Sequence, residues 1–488
     1  MLGRGAKQSA LAIQNGEVLP SELLEQTIEL LECVAGSSNA FVSSTFARAR
    51  RLAAQYDELV HTPELIADKP LLGVPFVVSE SLAMEGAVHS SGSRFRSNRI
   101  AGEDATAVQR LVDAGAIPIG VANTAELGFW IETDNLVYGR TTSPYDARRI
   151  AGGASGGVGV LVSAGYVPFG LGVDMTGSLR ATAHCCGVFT HKPTGGAVPV
   201  TGLEPVPDGR MQRYTSVGPI SRHIEDLALL YDIIRGPDGR DRTALPTAPK
   251  AHTAWDPMWK RVIVCENFHI PVVRNDPEVL RSIRHTAELL AEQGAVVEYW
   301  RANELERAFW IWLALLHEGY GLSWNFRDMI VPGRRDGWWR ELIRSPLGGA
   351  RLSFPVAAMA ITELVTKGSF LRIQRLAAEG RRLRERLSTL LADDAILLVP
   401  ALPRVAPRHG RTLREPQMIA YTALFNVLEL PVTTVPTMGP KSKLPVGIQV
   451  VAKQGNDAVS LAAAAHIAKL SQPLAIPGSK RGRFRFRG

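Results

Sequence analysis

The chain has 488 residues, 45% of them hydrophobic and 21% charged, with a formal net charge of +8 at pH 7; that is enough apolar material to bury an extensive core. No stretch approaches the roughly 18 uninterrupted apolar residues of a membrane span, which excludes a membrane-embedded role and leads us to expect a cytoplasmic protein. The four cysteines, Cys33, Cys185, Cys186 and Cys265, form no C-x-x-C pair, so neither zinc nor a disulfide scaffold is indicated and no metal or cofactor is expected.

In chain order, Met1-Leu2-Gly3-Arg4 leads into a polar amphipathic helix rather than a signal-peptide core. From Gly152 to Thr194 the chain reads GGASGGVGVLVSAGYVPFGLGVDMTGSLRATAHCCGVFTHKPT. Here Gly170, Gly172, Asp174, Gly177, Ser178 and Arg180 put a serine on a tight turn where bare backbone N–H groups can converge beside its hydroxyl. Acyl transfer needs such fixed donors for its tetrahedral oxyanion. The interleaved Val, Leu and Phe distinguish the segment from a flexible linker. There is no G-x-x-x-x-G-K-[ST] and no dinucleotide fingerprint, so phosphate cradling is set aside. Residues 236–257, rich in Pro and polar side chains, read as a surface connection. Between Glu304 and Trp339 an aromatic cluster follows, comprising Phe309, Trp310, Trp312, Tyr320, Trp324, Phe326, Trp338 and Trp339. Phe309, Trp312 and Leu316 recur at helical spacing and predict a helix packing on a sheet. Ala395–Pro400 and Val432–Val435, the latter closed by Pro436, read as buried strands. The tail 478–488 alternates Lys and Arg with Phe. A solvated terminus explains it better than phosphate-backbone binding, and nucleic acid is not an expected partner.

The segment 152–194 resembles the signature of the amidase-signature family of Ser, cis-Ser, Lys amide hydrolases. The resemblance extends over nearly the whole chain. Asp104–Val108 to Gly115-Ala116-Ile117 is similar to the helix and strand after the family's lysine loop. Asn123, Glu126, Asn135, Tyr138–Thr141 and Pro144 follow in the family's order. So do Lys192-Pro193-Thr194, Val217–Ile220, Tyr421-Thr422 with Phe425-Asn426, and Leu444–Gly447. The resemblance implies an α/β fold, the amidase-signature fold, with a central mixed β-sheet sandwiched by helices. It makes residues 1–488 one domain with a variable middle region over 236–390 and a basic tail over 478–488.

By the same resemblance Ser178 is the nucleophile, and the oxyanion hole is built by Met175, Thr176, Gly177 and Ser178. Asp174, Arg180 and Ser155 support the turn, and Phe129, Trp130 and Ile131 form a pocket wall. Two members of the triad are replaced. The family's cis-serine falls on Ala154 of GGASGG, and its lysine falls on Ser79 of Gly73–Ser81. A hydroxyl is no base at neutral pH, and alanine carries no relay oxygen, so Ser178 lacks the family's means of activation. Glu80 and His184 are the alternative bases to examine. A six-residue offset takes His184 off the helical face of Ser178, and Glu80 would need a pKa raised by burial.

Three functions remain open on the sequence. The first, which we favour, is acyl chemistry through Ser178 on a small-molecule amide, ester or thioester, by hydrolysis or acyl transfer. The second is a pseudo-amidase that binds a small molecule or protein. The third is a non-hydrolytic cyclisation or condensation templated by the pocket. The expected ligand is aromatic or apolar, and a homodimer is compatible with the sequence.

Overall fold

The structure, a computed structural model, describes residues 2–60, 62, 68–207, 209–251, 255–258, 260–320, 351–359, 370–392, 395–438, 443–471 and 474–477. The basic tail and the aromatic positions Trp324, Phe326, Trp338 and Trp339 lie outside these residues, as does the side chain of Tyr320.

An eleven-stranded mixed sheet organises the chain. Its strands are β1 (Phe41–Ser44), β2 (Pro75–Ser79), β3 (Ile117–Ala122), β6 (Phe169–Asp174), β7 (Phe189–Lys192), β8 (Ser216–Ser221), β9 (Arg261–Val264), β10 (Val296–Tyr299), β11 (Ile396–Pro400), β12 (Val432–Met438) and β13 (Pro445–Val451). Asp134–Asn135 and Gly139–Arg140 form a separate short hairpin, β4 and β5. The order across the sheet is β1-β3-β2-β6-β8-β7-β12-β13-β11-β9-β10. β3, β2 and β6 run parallel, as do β11, β9 and β10, while the strands between the two groups alternate in direction. This is the mixed α/β architecture expected from the sequence.

The strands are apolar on both sides because helices cover both faces. Alternate residues of β2 show it: Phe76 and Val78 enter one core with Leu227 and Leu230 of the helix Ile224–Ile234, whereas Val77 enters another with Val158 and Leu179. At the far end Val262, Ile396 and Leu398 pack under the helices Pro277–Glu292 and Asp457–Leu470. Ile263, Leu397 and Val399 face the opposite core. Each pattern is the period-2 consequence of a pleated strand.

Two expectations need adjustment. β12 does not stop at Pro436 but continues to Met438. Beyond Thr434 it pairs only with β13, and proline is tolerated on a strand with one partner. The aromatic segment does form a helix, Ala308–Tyr320, with Phe309, Trp312 and Leu316 buried. Its main packing partners are the helices Phe370–Leu390 and Ala420–Val427 rather than the sheet. Trp310 is only partly buried, with the Arg372 guanidinium 5.4 Å from its ring centre.

Candidate active site

The parallel trio fixes where chemistry can occur. β2 ends at Ser79, β3 leads into Asn123–Glu126, and β6 ends at Asp174, immediately before the Ser178 turn. All three carboxyl ends open on the same edge, the usual place for a ligand in an α/β sheet. The helix Ser178–Cys186 starts there, and Gly177 precedes it with φ 102°. A Cβ at Gly177 would lie 1.9 Å from Thr422 Oγ1, so glycine is required both by conformation and by contact. Thr176 avoids positive φ; its carbonyl accepts from Thr422 Oγ1 at 3.2 Å.

Asp174 closes the turn from below. It accepts from Gly177 N–H at 2.8 Å and Leu179 N–H at 3.1 Å. Arg180 reaches it twice, Nε to Oδ2 at 3.0 Å and Nη2 to Oδ1 at 2.9 Å. The remaining guanidinium protons go to the Thr422 carbonyl at 2.7 Å, Gln449 Oε1 at 3.1 Å and Asn426 Oδ1. All five donors of this fully buried arginine are therefore used. Burial alone would raise the Asp174 carboxyl, but Arg180 and Lys192 reverse that and hold it below the ordinary carboxylate range. Gly177 thus donates its N–H to Asp174, while the N–H groups of Met175, Thr176 and Ser178 make no hydrogen bond among the described residues. Those three are the bare donors of the turn.

The peptide Gly153-Ala154 is cis. Ala154 O accepts from Ala125 N–H at 3.1 Å and from Thr133 Oγ1 at 3.1 Å. A Cβ on Gly153 would meet the backbone of Trp130, Ile131 and Glu132 within 2.9 Å. Next in the chain, Ser155 holds the nucleophile position on two sides: its N–H donates to Ser178 Oγ at 2.8 Å, and its Oγ accepts from Ser178 Oγ at 3.2 Å. Ser155 Oγ in turn donates to the Val173 carbonyl at 3.2 Å and accepts from Val173 N–H at 3.1 Å. The Ser178 proton therefore points into a chain that ends on a backbone carbonyl. Ser79 Oγ accepts from Ser81 Oγ at 3.1 Å and supplies no base.

Both alternative bases are engaged in local hydrogen bonds. Glu80 accepts from Ser90 N–H at 2.5 Å, Gly92 N–H at 2.9 Å and Tyr138 Oη at 3.3 Å, which is a scaffold for the loop after β2. His184 Nδ1 accepts from Gly447 N–H at 3.0 Å, turning the ring toward β13, and burial pushes its pKa down to about 4. Phe129 and Ile131 are buried in the core, and Trp130 lines a cavity. That cavity, about 290 Å³, has apolar lining from Trp130, Leu352, Phe354 and Leu413 and charged lining from Arg94, Glu132, Asp134 and Arg140.

Burial pushes the Glu80 carboxyl up to about 7 against its hydrogen bonds. Between the unfolded value of about 4.3 and the folded one only the native state holds that proton. Its contribution to stability therefore declines as pH rises through this window and is level above it. Glu80→Gln is expected to remove that share of the decline; equal wild-type and variant shifts in melting temperature between pH 5 and pH 7.5 would contradict it.

Several residues of the site carried no role in the sequence reading. Thr422 and Asn426 share one face of a helix at i, i+4, and Asn426 Nδ2 donates to Asp174 Oδ1 at 2.8 Å. Gln449 is the lone polar residue of an apolar strand, a signal that could have been taken. Lys192 is fully buried, with Nζ donating to the Pro193 carbonyl at 2.7 Å and Ser216 Oγ at 3.5 Å. Burial and Arg180 bring it down to about 7.

The chain is similar to known proteins over nearly its whole length. The family model described as Amidase matches residues 22–461. Fatty-acid amide hydrolase 2 of Homo sapiens is 33% identical over 96% of this chain and 90% of its own length. A glutamyl-tRNA(Gln) amidotransferase subunit of Deinococcus radiodurans is 32% identical, over 94% and 95%. Among solved structures, a chain of a vestigial protein complex bearing on the origins of an s-triazine catabolic enzyme superposes with a TM-score of 0.80. It is 26% identical, over 96% of this chain and 100% of that one.

Proposed function

The chain belongs to the amidase family, and on that footing we propose that it performs acyl chemistry through Ser178 on small-molecule acyl compounds with good leaving groups, such as aryl esters and thioesters. Its relatives include amide hydrolases; plain amides are poor substrates here because their leaving amine must be protonated. The observation that carries this reading is the hydrogen-bond chain from Ser178 through Ser155 to the Val173 carbonyl. It holds the hydroxyl on the turn that carries the bare N–H groups of Met175, Thr176 and Ser178, and in the acylation step the Ser178 proton leaves with the departing aryloxide or thiolate. Fixed oxyanion donors and binding retain roughly 10³- to 10⁴-fold acceleration in serine hydrolases stripped of their triads, which suffices for activated acyl groups.

The same chain of hydrogen bonds favours a second reading, a binding protein whose serine is structural. Intact-mass analysis with a fluorophosphonate and with aryl esters and thioesters separates the two. Acyl chemistry requires a single adduct on the wild type that is absent from Ser178→Ala. A folded wild type that takes no label from any reagent would leave the binding reading in its place.

A further inference from the structure

A second opening lies apart from the Ser178 turn. It is a groove of about 620 Å³ between the short helix Asn303–Arg307 and the helix Phe370–Leu390, and it shares no lining residue with the cavity beside Trp130. One wall carries Arg301 and Arg307, the other Arg375, Arg382 and Arg386, and the acids in the lining are Glu304 and Glu379. Positions 375, 379, 382 and 386 recur at i, i+4, i+7 and i+11, so they form one stripe along their helix. The apolar lining is Ala302 and Ala378, whose methyl groups leave the space between the walls open.

Both lining glutamates are already engaged. Glu379 accepts from Arg307 at 2.6 Å and Glu304 from Arg386 at 3.1 Å, each pair crossing from one wall to the other, and Arg301 pairs with Glu306 at 3.2 Å. Elsewhere on the long helix Arg381 pairs with Glu318, Arg384 with Glu429, and Arg372 lies over the Trp310 ring. Arg375 and Arg382 are exposed and make no ion pair or hydrogen bond among the described residues. Glu379 acts on Arg382 only through space, and the exposed Glu385 of the same helix pairs with neither arginine. Like charges gathered along one wall repel unless a counter-charge joins them. Seven residues of helix set these two cations about 10 Å apart along its axis, so an anion charged at several points along its length meets both. Arginine's planar fork suits carboxylate and phosphate alike, but the tetrahedral oxygens of a phosphate point several ways and can accept from both walls at once, where a planar carboxylate serves one. Among the described residues no aromatic or long aliphatic side chain lines the groove, so the lining offers nothing to grip an acyl chain or a stacked base.

We propose that this groove binds a compact oligophosphate anion, held by Arg375 and Arg382 while the crossing pairs Arg307–Glu379 and Arg386–Glu304 keep the walls in place. The phosphate chain is the recognised group, whether free or as the tail of a nucleoside triphosphate. The site is independent of Ser178 and of the acyl chemistry proposed above.

The experiment is calorimetric titration of sodium tripolyphosphate, citrate, adenosine triphosphate and a single-stranded RNA of about 20 nucleotides into the full-length protein at physiological ionic strength, where loose surface attraction is screened. The wild type should bind tripolyphosphate at least tenfold more tightly than citrate. Arg375→Gln with Arg382→Gln should weaken tripolyphosphate at least tenfold, whereas Arg51→Gln with Arg242→Gln, which removes two exposed arginines outside the groove, should stay within twofold of wild type. If the groove pair does not fold, Arg375→Lys with Arg382→Lys takes its place, with at least a threefold loss expected as the forks disappear. Adenosine triphosphate should bind within threefold of tripolyphosphate, which assigns the free chain as sufficient; binding at least tenfold tighter would assign a nucleotide as the source of the phosphates. Citrate bound as tightly as tripolyphosphate, affinity untouched by the groove variants, an equal loss in the control pair, tighter binding of the RNA, or no binding of any anion would each overturn the proposal.

Discussion

Introducing Ser79→Lys and Ala154→Ser together is expected to raise anilide hydrolysis by at least about 10²-fold, the lower range for a positioned general base. The two changes act as a unit. Lysine alone meets Ala154, which has no oxygen to pass a proton to, and serine alone has no base beyond it. Each single variant should therefore stay within a few fold of wild type, in the non-additive pattern of groups that work together. Such a relay must draw the Ser178 proton away from Ser155, 3.2 Å distant, through the introduced serine to a lysine at position 79, where the present serine accepts from Ser81 Oγ. Adding Ser178→Ala to the double variant should abolish the gain. Release of aniline chromophore reads all five proteins, and a folded double variant no faster than wild type would show that lysine and serine at these positions do not suffice for amide hydrolysis.

Arg180→Lys is expected to be the most destabilising conservative change in the site, lowering stability by about 3–5 kcal/mol, as for a broken buried pair. A lysine has three donors on one atom and cannot reproduce the planar fork that serves Asp174, Thr422, Gln449 and Asn426 at once. Loss of the fork also frees the turn, so labelling of Ser178 should fall with it. The exposed pair Arg50–Glu25, at 2.7 Å, is the control: Arg50→Lys should leave the urea midpoint unchanged. An unaltered midpoint in Arg180→Lys would mean that the network is not what holds the turn.

The spacing of Gly177, Ser178 and Arg180 after Asp174 was legible because those residues interact within one turn, where sequence distance and spatial distance coincide. The apolar runs of β11 and β12 were legible for the same reason. The partners that complete Arg180 were not, since Thr422 and Gln449 come from a helix and a strand far along the chain. The resemblance gave Thr422 a position but no contact, and gave Gln449 neither. Trp130 illustrates the limit on pockets: it shares a segment with Phe129 and Ile131, yet only the packed sheet decides which of the three faces the cavity.

The position of β12 in the sheet has a consequence for biosynthesis. β7 finds its neighbour on that side only when Thr434 pairs with Thr190, roughly 240 residues later, and at ordinary translation rates of about 5–20 residues per second this takes on the order of 10–50 s. Throughout that interval the growing polypeptide presents an unpaired strand edge on the ribosome, and nothing encoded downstream can cover it sooner.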